Sequence, residues 1–260
     1  MAKTQLAAQL YTLRDFTKTP ADIAETLKKV RKIGYQAVQL SALGPIDPKE
    51  LRKLCDDNGL TVCATHKSFE EMRDKTEALL AEHKILGCEY TAVGSMPQQY
   101  RSPDGWKKFA KDASAVAKKL KKGGLTWGYH NHSFELEKFG DRTGLEILYA
   151  ESDPKYFTAE IDTYWITHGG GDPAQWVRDL KGRIPLLHLK DMCVKTKPGE
   201  WHPQQLMAEI GEGNLNWEKI LKAAKKSGVR WYIVEQDTCQ RDPFESLAIS
   251  YKNCRKLGLK

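Results

Sequence analysis

Short apolar segments alternate with amphipathic segments along the whole chain. Eight apolar runs have the length and composition of strands, at residues 6–10, 36–40, 60–65, 90–93, 125–129, 157–161, 184–189 and 230–234. Between or after them lie segments with helical spacing of apolar residues, at 21–33, 48–58, 69–86, 104–122, 144–151, 173–180, 217–227 and 242–257. Strands that alternate with helices in this order favour a parallel sheet.

Eight strand–helix units in 260 residues fit a closed barrel. We therefore predict an α/β fold, a single (β/α)8 TIM-barrel domain over residues 1–260. An open doubly wound sheet is the alternative, but it would carry a glycine-rich phosphate loop after an early strand. The first strand is instead followed by Tyr11-Thr12-Leu13-Arg14. Gly169-Gly170-Gly171 and Gly211-Glu212-Gly213 continue into no phosphate-loop motif, which indicates ordinary loops.

The composition is that of an ordinary globular protein, with 40% hydrophobic and 29% charged residues. The net charge of +7 comes mainly from lysines on predicted helix faces, such as residues 27–32 and 117–122, and such solvated faces do not require a nucleic acid. The six cysteines form no CxxC pair and are expected to be free thiols in a reducing compartment. With no apolar leader or membrane span, we expect a cytoplasmic protein, although a signal peptide already removed would leave no trace.

Polar residues that suit a metal follow the later strands. Asp162 and Glu235 come directly after apolar runs, and His188 lies near the end of another. Because a parallel barrel gathers its strand ends around one mouth, these side chains are expected to converge. Carboxylates and a neutral imidazole suit one divalent ion, such as Mn, Co, Zn or Mg. Glu160 shares the strand face of Asp162, and Asp237 shares that of Glu235.

Two residues near the end of the fifth strand could supply its metal ligand. His130 occupies the strand end itself, whereas Glu135 would have to fold back from the following loop. A site with hard ligands and an acid–base role favours Glu135 as the fourth ligand. His130 and His132 are then expected to contact the substrate, with His130 as the alternative ligand.

Other residues near the strand ends suit substrate binding and catalysis. Lys190 shares a face with His188 and could stabilise a developing oxyanion, or it could pair with Asp191 at the surface. Further candidates for contacts with substrate are Gln9, Gln39, His66 and Trp165. The aromatic ring among them suits the apolar face of a sugar.

Four stretches of the sequence together resemble those of a known family. They are Gln9-Leu10-Tyr11-Thr12-Leu13-Arg14; Gly128-Tyr129-His130-Asn131-His132-Ser133-Phe134-Glu135; Leu187-His188-Leu189-Lys190-Asp191; and Ile210-Gly211-Glu212-Gly213 with Val234-Glu235-Gln236-Asp237. In these the chain resembles the xylose isomerase-like TIM barrels, the sugar phosphate isomerase/epimerase superfamily. The resemblance implies one divalent metal held by Glu135 (or the His130 slot), Asp162, His188 and Glu235. It also implies association as a homo-oligomer, since related barrels form dimers or tetramers.

The function expected from these residues is that of a metal-dependent sugar isomerase or epimerase. It would abstract a proton next to a carbonyl and hold the resulting enediolate on the metal. Glu235 is the expected base, with Glu135, His132 or Lys190 as its partner. The alternative on the same site is a dehydratase or lyase for 3-keto-sugars or keto-inositols. The expected partner is a small sugar or keto-sugar, without nucleic acid or membrane.

Two further classes compete with this interpretation. A nuclease like endonuclease IV shares the barrel, but its chemistry needs a cluster of two or three metal ions. Such a cluster requires several more His, Asp and Glu side chains at the strand ends, and this chain has only seven histidines. A barrel that binds a sugar without catalysing its conversion would need no metal. Metal analysis separates that binder from the enzyme.

Overall fold

Eight parallel strands close into a barrel in the computed structural model, which describes residues 5–260. The strands are β1 (Leu6–Gln9), β2 (Ala37–Leu40), β3 (Thr61–Lys67), β4 (Tyr90–Val93), β5 (Thr126–His130), β6 (Thr158–Asp162), β7 (Leu186–Leu189) and β8 (Trp231–Val234). Each strand pairs with the next, and β8 pairs with β1, where Val234 lies opposite Ala8. The predicted TIM barrel is confirmed.

Helices follow the strands and pack around the barrel. They are α1 (Pro20–Ile33), α2 (Pro48–Asp57), α3 (Phe69–Asp74), α4 (Thr76–Leu86), α5 (Pro103–Lys122), α6 (Gly144–Glu151), α7 (Thr163–His168), α8 (Pro173–Asp179), α9 (Trp217–Ser227) and α10 (Pro243–Lys256). Local chemistry sets their starts: Thr19 and Asp22 form a reciprocal capping box at α1, and Pro20 occupies its first turn. The single helix expected over residues 69–86 is divided at Lys75, whose backbone (φ −123°, ψ 35°) is not helical.

The barrel strands bury two different faces. One face packs on the helices and forms the main hydrophobic core. The other face meets inside the barrel, in a small cluster made of Ala7, Ala37, Cys63, Ala64, Leu186 and Ile233. Polar residues on the same barrel strands are fully buried, namely Gln9, Gln39, Glu160, Asp162 and His188. Buried polar groups are costly unless they are paired, so this set needs partners.

The connection after β7 contains secondary structure that the sequence did not predict. It contains an antiparallel hairpin of Asp191–Lys195 and Gln204–Ala208. The buried Asp191 carboxylate then anchors the chain that leads to α9. It accepts hydrogen bonds from the backbone N–H groups of Gly211, Gly213 and Leu215 and from the indole N–H of Trp217.

All six cysteines are free thiols, as the sequence indicates. Four of them are buried, and Cys193 in the hairpin and Cys239 after β8 are half-buried. No helix among the described residues combines the length and apolar character needed to span a lipid bilayer.

Candidate metal centre

Four buried side chains converge at the carboxyl ends of neighbouring strands. His130 ends β5, Asp162 ends β6, His188 lies in β7, and Glu235 directly follows β8. The register places Asp162 directly beside His188. One donor atom from each of the four lies within 4.8 Å of the others, and all four residues are buried. We call them the mouth cluster.

The cluster contacts join nitrogen atoms to carboxylate oxygens. His130 Nε2 lies 3.1 Å from Asp162 Oδ2. His188 Nδ1 lies 2.9 Å from Glu235 Oε2 and 3.8 Å from Asp162 Oδ2. The Asp162 carboxylate therefore faces both imidazole rings, and the Glu235 carboxylate faces that of His188.

The opposite nitrogen of each ring is already engaged. His130 Nδ1 lies 3.0 Å from the carbonyl oxygen of Gly94, and His188 Nε2 lies 2.7 Å from Oε1 of Gln39. Because a carbonyl oxygen only accepts, each of these nitrogens carries the proton. The lone pairs of His130 Nε2 and His188 Nδ1 then face carboxylate oxygens. Two lone pairs repel each other at this distance, so either a second proton on the ring or a bound metal cation must lie between them.

A divalent metal ion fits this donor set. Two neutral imidazole nitrogens and two carboxylates form a ligand set used for zinc, manganese and related ions. The engagement of the outer ring nitrogens by oxygen acceptors is the supporting arrangement found around metal-bound histidines. The buried cluster thus suggests a divalent metal, with no preference among ions.

Electrostatics keep the carboxylates ionised. Burial alone would raise the pKa of Glu235, but Lys190 and His188 hold that pKa well below its usual range. Burial likewise opposes ionisation of Asp162, and Lys190 and His130 outweigh it and lower the pKa. Without a metal, burial would lower the pKa of His188, whereas Glu160 and Glu235 raise it to about 10. A protonated His188 is therefore the metal-free alternative to a bound ion.

Glu135 lies outside the mouth cluster. Its carboxylate accepts hydrogen bonds from the Tyr129 hydroxyl, at 2.8 Å, and from the His132 backbone N–H, at 2.9 Å. It belongs to a short 3-10 turn, Phe134–Leu136, that holds it against β5. Burial raises the pKa of Glu135 to about 7. The structure thus brings His130 to the position for which the sequence favoured Glu135.

Lys190 is buried beside the cluster, with 1% of its surface exposed. Its Nζ lies 2.7 Å from Glu235 Oε2, 3.1 Å from Asp162 Oδ2 and 2.9 Å from Asp237 Oδ2. It does not form the surface pair with Asp191 that the sequence left open. Its charge stabilises the neighbouring carboxylates in their ionised form.

A cavity of about 640 Å³ opens above the cluster. Its lining includes His130 and Glu235 of the cluster, together with Tyr11, Ser41, His66, Lys67, Glu71, His132, Trp165 and Asp237. His66, His132 and Trp165 were expected from the sequence at a substrate site. Gln9 and Gln39 were expected there too, yet both are fully buried and neither lines this cavity.

Two charged lining residues were not singled out from the sequence. Lys67 ends β3, and its Nζ lies 2.9 Å from Glu82 and 3.4 Å from Glu71. Glu71 lies in α3 and shares the cavity wall. No motif marks either residue. Lys67 reaches the cavity from the end of β3, and Glu71 reaches it from the short helix α3, which was predicted as one helix with α4.

Comparison with known proteins decides the family. The model of the xylose isomerase-like TIM barrel matches residues 27–250. The chain belongs to this family. The similarity agrees with the closed barrel and with the position of the mouth cluster at its strand ends.

Individual relatives are named inosose dehydratase or sugar phosphate isomerase/epimerase. An inosose dehydratase of Geobacillus kaustophilus is 24% identical over 191 residues, covering 65% of this chain and 61% of that protein. The match thus spans about three fifths of that curated relative. An inosose dehydratase of Mesomycoplasma hyopneumoniae is 23% identical over 283 residues, covering 94% and 92%. The structure of a sugar phosphate isomerase/epimerase from Parabacteroides distasonis has a TM-score of 0.78 at 25% identity, covering 100% and 96%.

Proposed function

We propose that this chain is a divalent-metal-dependent sugar isomerase or epimerase, which removes and returns a proton next to a keto carbonyl. One observation carries the proposal: Glu235 belongs to the mouth cluster and also lines the cavity. A substrate in the cavity would therefore meet a buried carboxylate and the cation-binding group at the same place.

The residues of the mouth cluster would bind the metal ion. His130, Asp162, His188 and Glu235 would hold the ion. When bound, a divalent ion there supplies Lewis-acid polarisation of the carbonyl, which acidifies the neighbouring C–H.

Glu235 is the proposed base. Lys190 and His188 keep its carboxylate ionised, which leaves it free of a proton, and it lines the cavity in which a substrate would lie. The ammonium of Lys190, 2.7 Å from that carboxylate, supports negative charge that develops on the substrate oxygen.

His132 and Asp237 complete the cavity wall. Burial lowers the pKa of His132 to about 3, so the ring is neutral and suits a hydrogen bond to a substrate hydroxyl. Burial raises the pKa of Asp237, which lies beside Lys190. We propose Asp237, which lines the same cavity, as the group that returns the proton.

Deuterium exchange tests the proposal. The metal-loaded protein is incubated in deuterated water with ketoses, 3-keto-glucosides and keto-inositols, and deuterium is followed by NMR at carbons next to the carbonyl. Wild-type protein should catalyse exchange, and Glu235→Gln should lower the rate by about 10²-fold or more. The matched control is Glu25→Gln, an exposed glutamate on α1. Exchange at the wild-type rate in Glu235→Gln would remove this residue from the role of base.

A dehydratase is the second candidate, favoured by the names of the relatives. The same proton abstraction leads to loss of water if a hydroxyl leaves from the next carbon. The Asp237 carboxyl would then protonate the departing oxygen. Mass spectrometry separates the two, because a dehydratase releases a product lighter by one water and an epimerase releases an isomer of equal mass.

A further inference from the structure

Gln39 lies inside the barrel, between the mouth cluster and a second buried carboxylate. Its Oε1 lies 2.7 Å from His188 Nε2, and its Nε2 lies 2.7 Å from Glu160 Oε1. The other oxygen of Glu160 bonds to His66 Nε2, and His66 lines the cavity. We call Gln39, Glu160 and His66 the interior relay.

In each hydrogen bond of the relay, the chemistry of the side chains determines which group donates and which accepts. The carboxylate of Glu160 is fully buried and only accepts hydrogen bonds, so it selects the NH₂ end of the Gln39 amide. That leaves the amide oxygen toward His188, which must donate through Nε2–H. A flipped amide would place its oxygen against the carboxylate and its NH₂ against the protonated ring nitrogen, and both contacts would repel.

The protonation of Nε2 determines the state of the other ring nitrogen of His188. With the proton held at Nε2, His188 presents the Nδ1 lone pair to Glu235 and Asp162. The buried Glu160 carboxylate thus acts on the mouth cluster through Gln39, and its Oε1 also lies 3.3 Å from His188 Nε2, where it favours a proton on the same ring nitrogen; Glu160 itself is no member of the cluster.

We propose that Gln39 and Glu160 are positioning residues that fix the tautomer and ring orientation of His188 for a metal ion, and that Gln39 does not contact substrate. This inference rests on the proposed metal site. It differs from the expectation from sequence, in which Gln39 binds a substrate hydroxyl.

A second metal ion is the competing interpretation of the same atoms. Donor atoms of His66, Glu160 and His188 also lie within 4.8 Å of one another. His188 Nε2, however, donates its proton to Gln39 Oε1 and therefore has no free lone pair for a second ion. We therefore assign these atoms to hydrogen bonding.

Calorimetric titration with Mn²⁺ tests the relay on the full chain. Gln39→Leu removes both hydrogen bonds and should raise the Kd for Mn²⁺ by about 10- to 100-fold. Gln39→Met serves if the leucine variant fails to fold. The control is Thr91→Val, another buried polar residue of the barrel strands, which bonds to Thr65 and should keep the wild-type Kd.

A swap variant separates positioning from mere packing. In Gln39→Glu with Glu160→Gln, the two residues exchange chemistry, and every hydrogen bond of the relay can form with the same total charge. The double variant should recover most of the affinity that Gln39→Leu loses. In the Zn²⁺-loaded protein, NMR should show a slowly exchanging His188 Nε2–H in wild type and swap but not in Gln39→Leu.

The outcomes are distinguishable. A wild-type Kd in Gln39→Leu, with a raised KM for substrate, would overturn the inference and restore Gln39 as a substrate contact. Two Mn²⁺ ions per wild-type chain, with one lost in Gln39→Leu, would overturn it in favour of a second metal site. If wild-type protein binds no divalent ion, the proposed metal site itself fails.

Discussion

At the scale of single residues, His130 and Glu135 offer a direct test of the mouth cluster. His130 Nε2 faces Asp162, whereas the Glu135 carboxylate is occupied by Tyr129 and His132. We expect His130→Ala to weaken Mn²⁺ binding by more than the roughly 100-fold typical of a lost supporting contact. Glu135→Gln should change it little. Calorimetry measures both, and the reverse order would assign the ligand to Glu135.

The same Glu135→Gln variant has a second readout in pH. Burial raises the pKa of Glu135 from 4.5 to about 7, so the folded protein binds a proton that the unfolded chain has lost between these values. The free energy of unfolding should therefore fall as pH rises through this window, by roughly 3 kcal/mol from this group. Glu135→Gln should lack that part of the slope. Urea unfolding at about pH 5 and about pH 8 measures the difference between the two proteins.

Some of the site could be predicted from sequence for a physical reason. Asp162, His188 and Glu235 end apolar runs, and the barrel topology alone brings strand ends together. The position of Glu135 could not be predicted, because it depends on a short turn after β5. The contacts of Gln39 depend on which side chains meet across the barrel interior, and the pattern along one strand does not contain that information.

At the scale of elements, the connection after β7 depends on one carboxylate. The Asp191 carboxylate accepts hydrogen bonds from backbone N–H groups of the segment that leads to α9. This segment passes so close to Asp191 that any side chain at Gly213 would clash with the carboxylate. Asp191→Ala should leave buried donors unpaired and cost at least about 3 kcal/mol of unfolding free energy. Urea unfolding measures this, with the exposed Asp15→Asn as control. A loss below about 1 kcal/mol would mean that water replaces the carboxylate.

The elements themselves differ in how well the sequence predicts them. All eight barrel strands lie where the apolar runs indicate, because burial on both faces gives continuous apolar segments. The hairpin after β7 was missed, since its partly exposed strands, such as Gln204–Ala208, lack such a run. The division at Lys75 was missed as well, because helical spacing continues across it.

At the scale of the whole molecule, an ion in the mouth cluster would couple to folding. His130, Asp162, His188 and Glu235 come from four strands, so the unfolded chain has no equivalent site. Free Mn²⁺ at about 100 times its Kd should stabilise the fold by about 2.7 kcal/mol. This corresponds to a Tm increase of roughly 5–10 °C. Calorimetric scans with EDTA and with Mn²⁺ measure it, and equal Tm values would contradict a metal site.

The distribution of thiols gives this protein a ready means of observation. Burial raises the pKa of Cys55 and Cys254 to about 12, and Cys63 and Cys88 are buried as well, so these four resist alkylating reagents. Cys193 and Cys239 are only half-buried and lie in the segments that follow β7 and β8; burial raises the pKa of Cys239 too, so Cys193 is the more reactive of the two. A fluorescent or spin-labelled maleimide would therefore attach at the rim of the mouth without any engineered cysteine. Distances between such labels would report whether these segments move when a sugar enters.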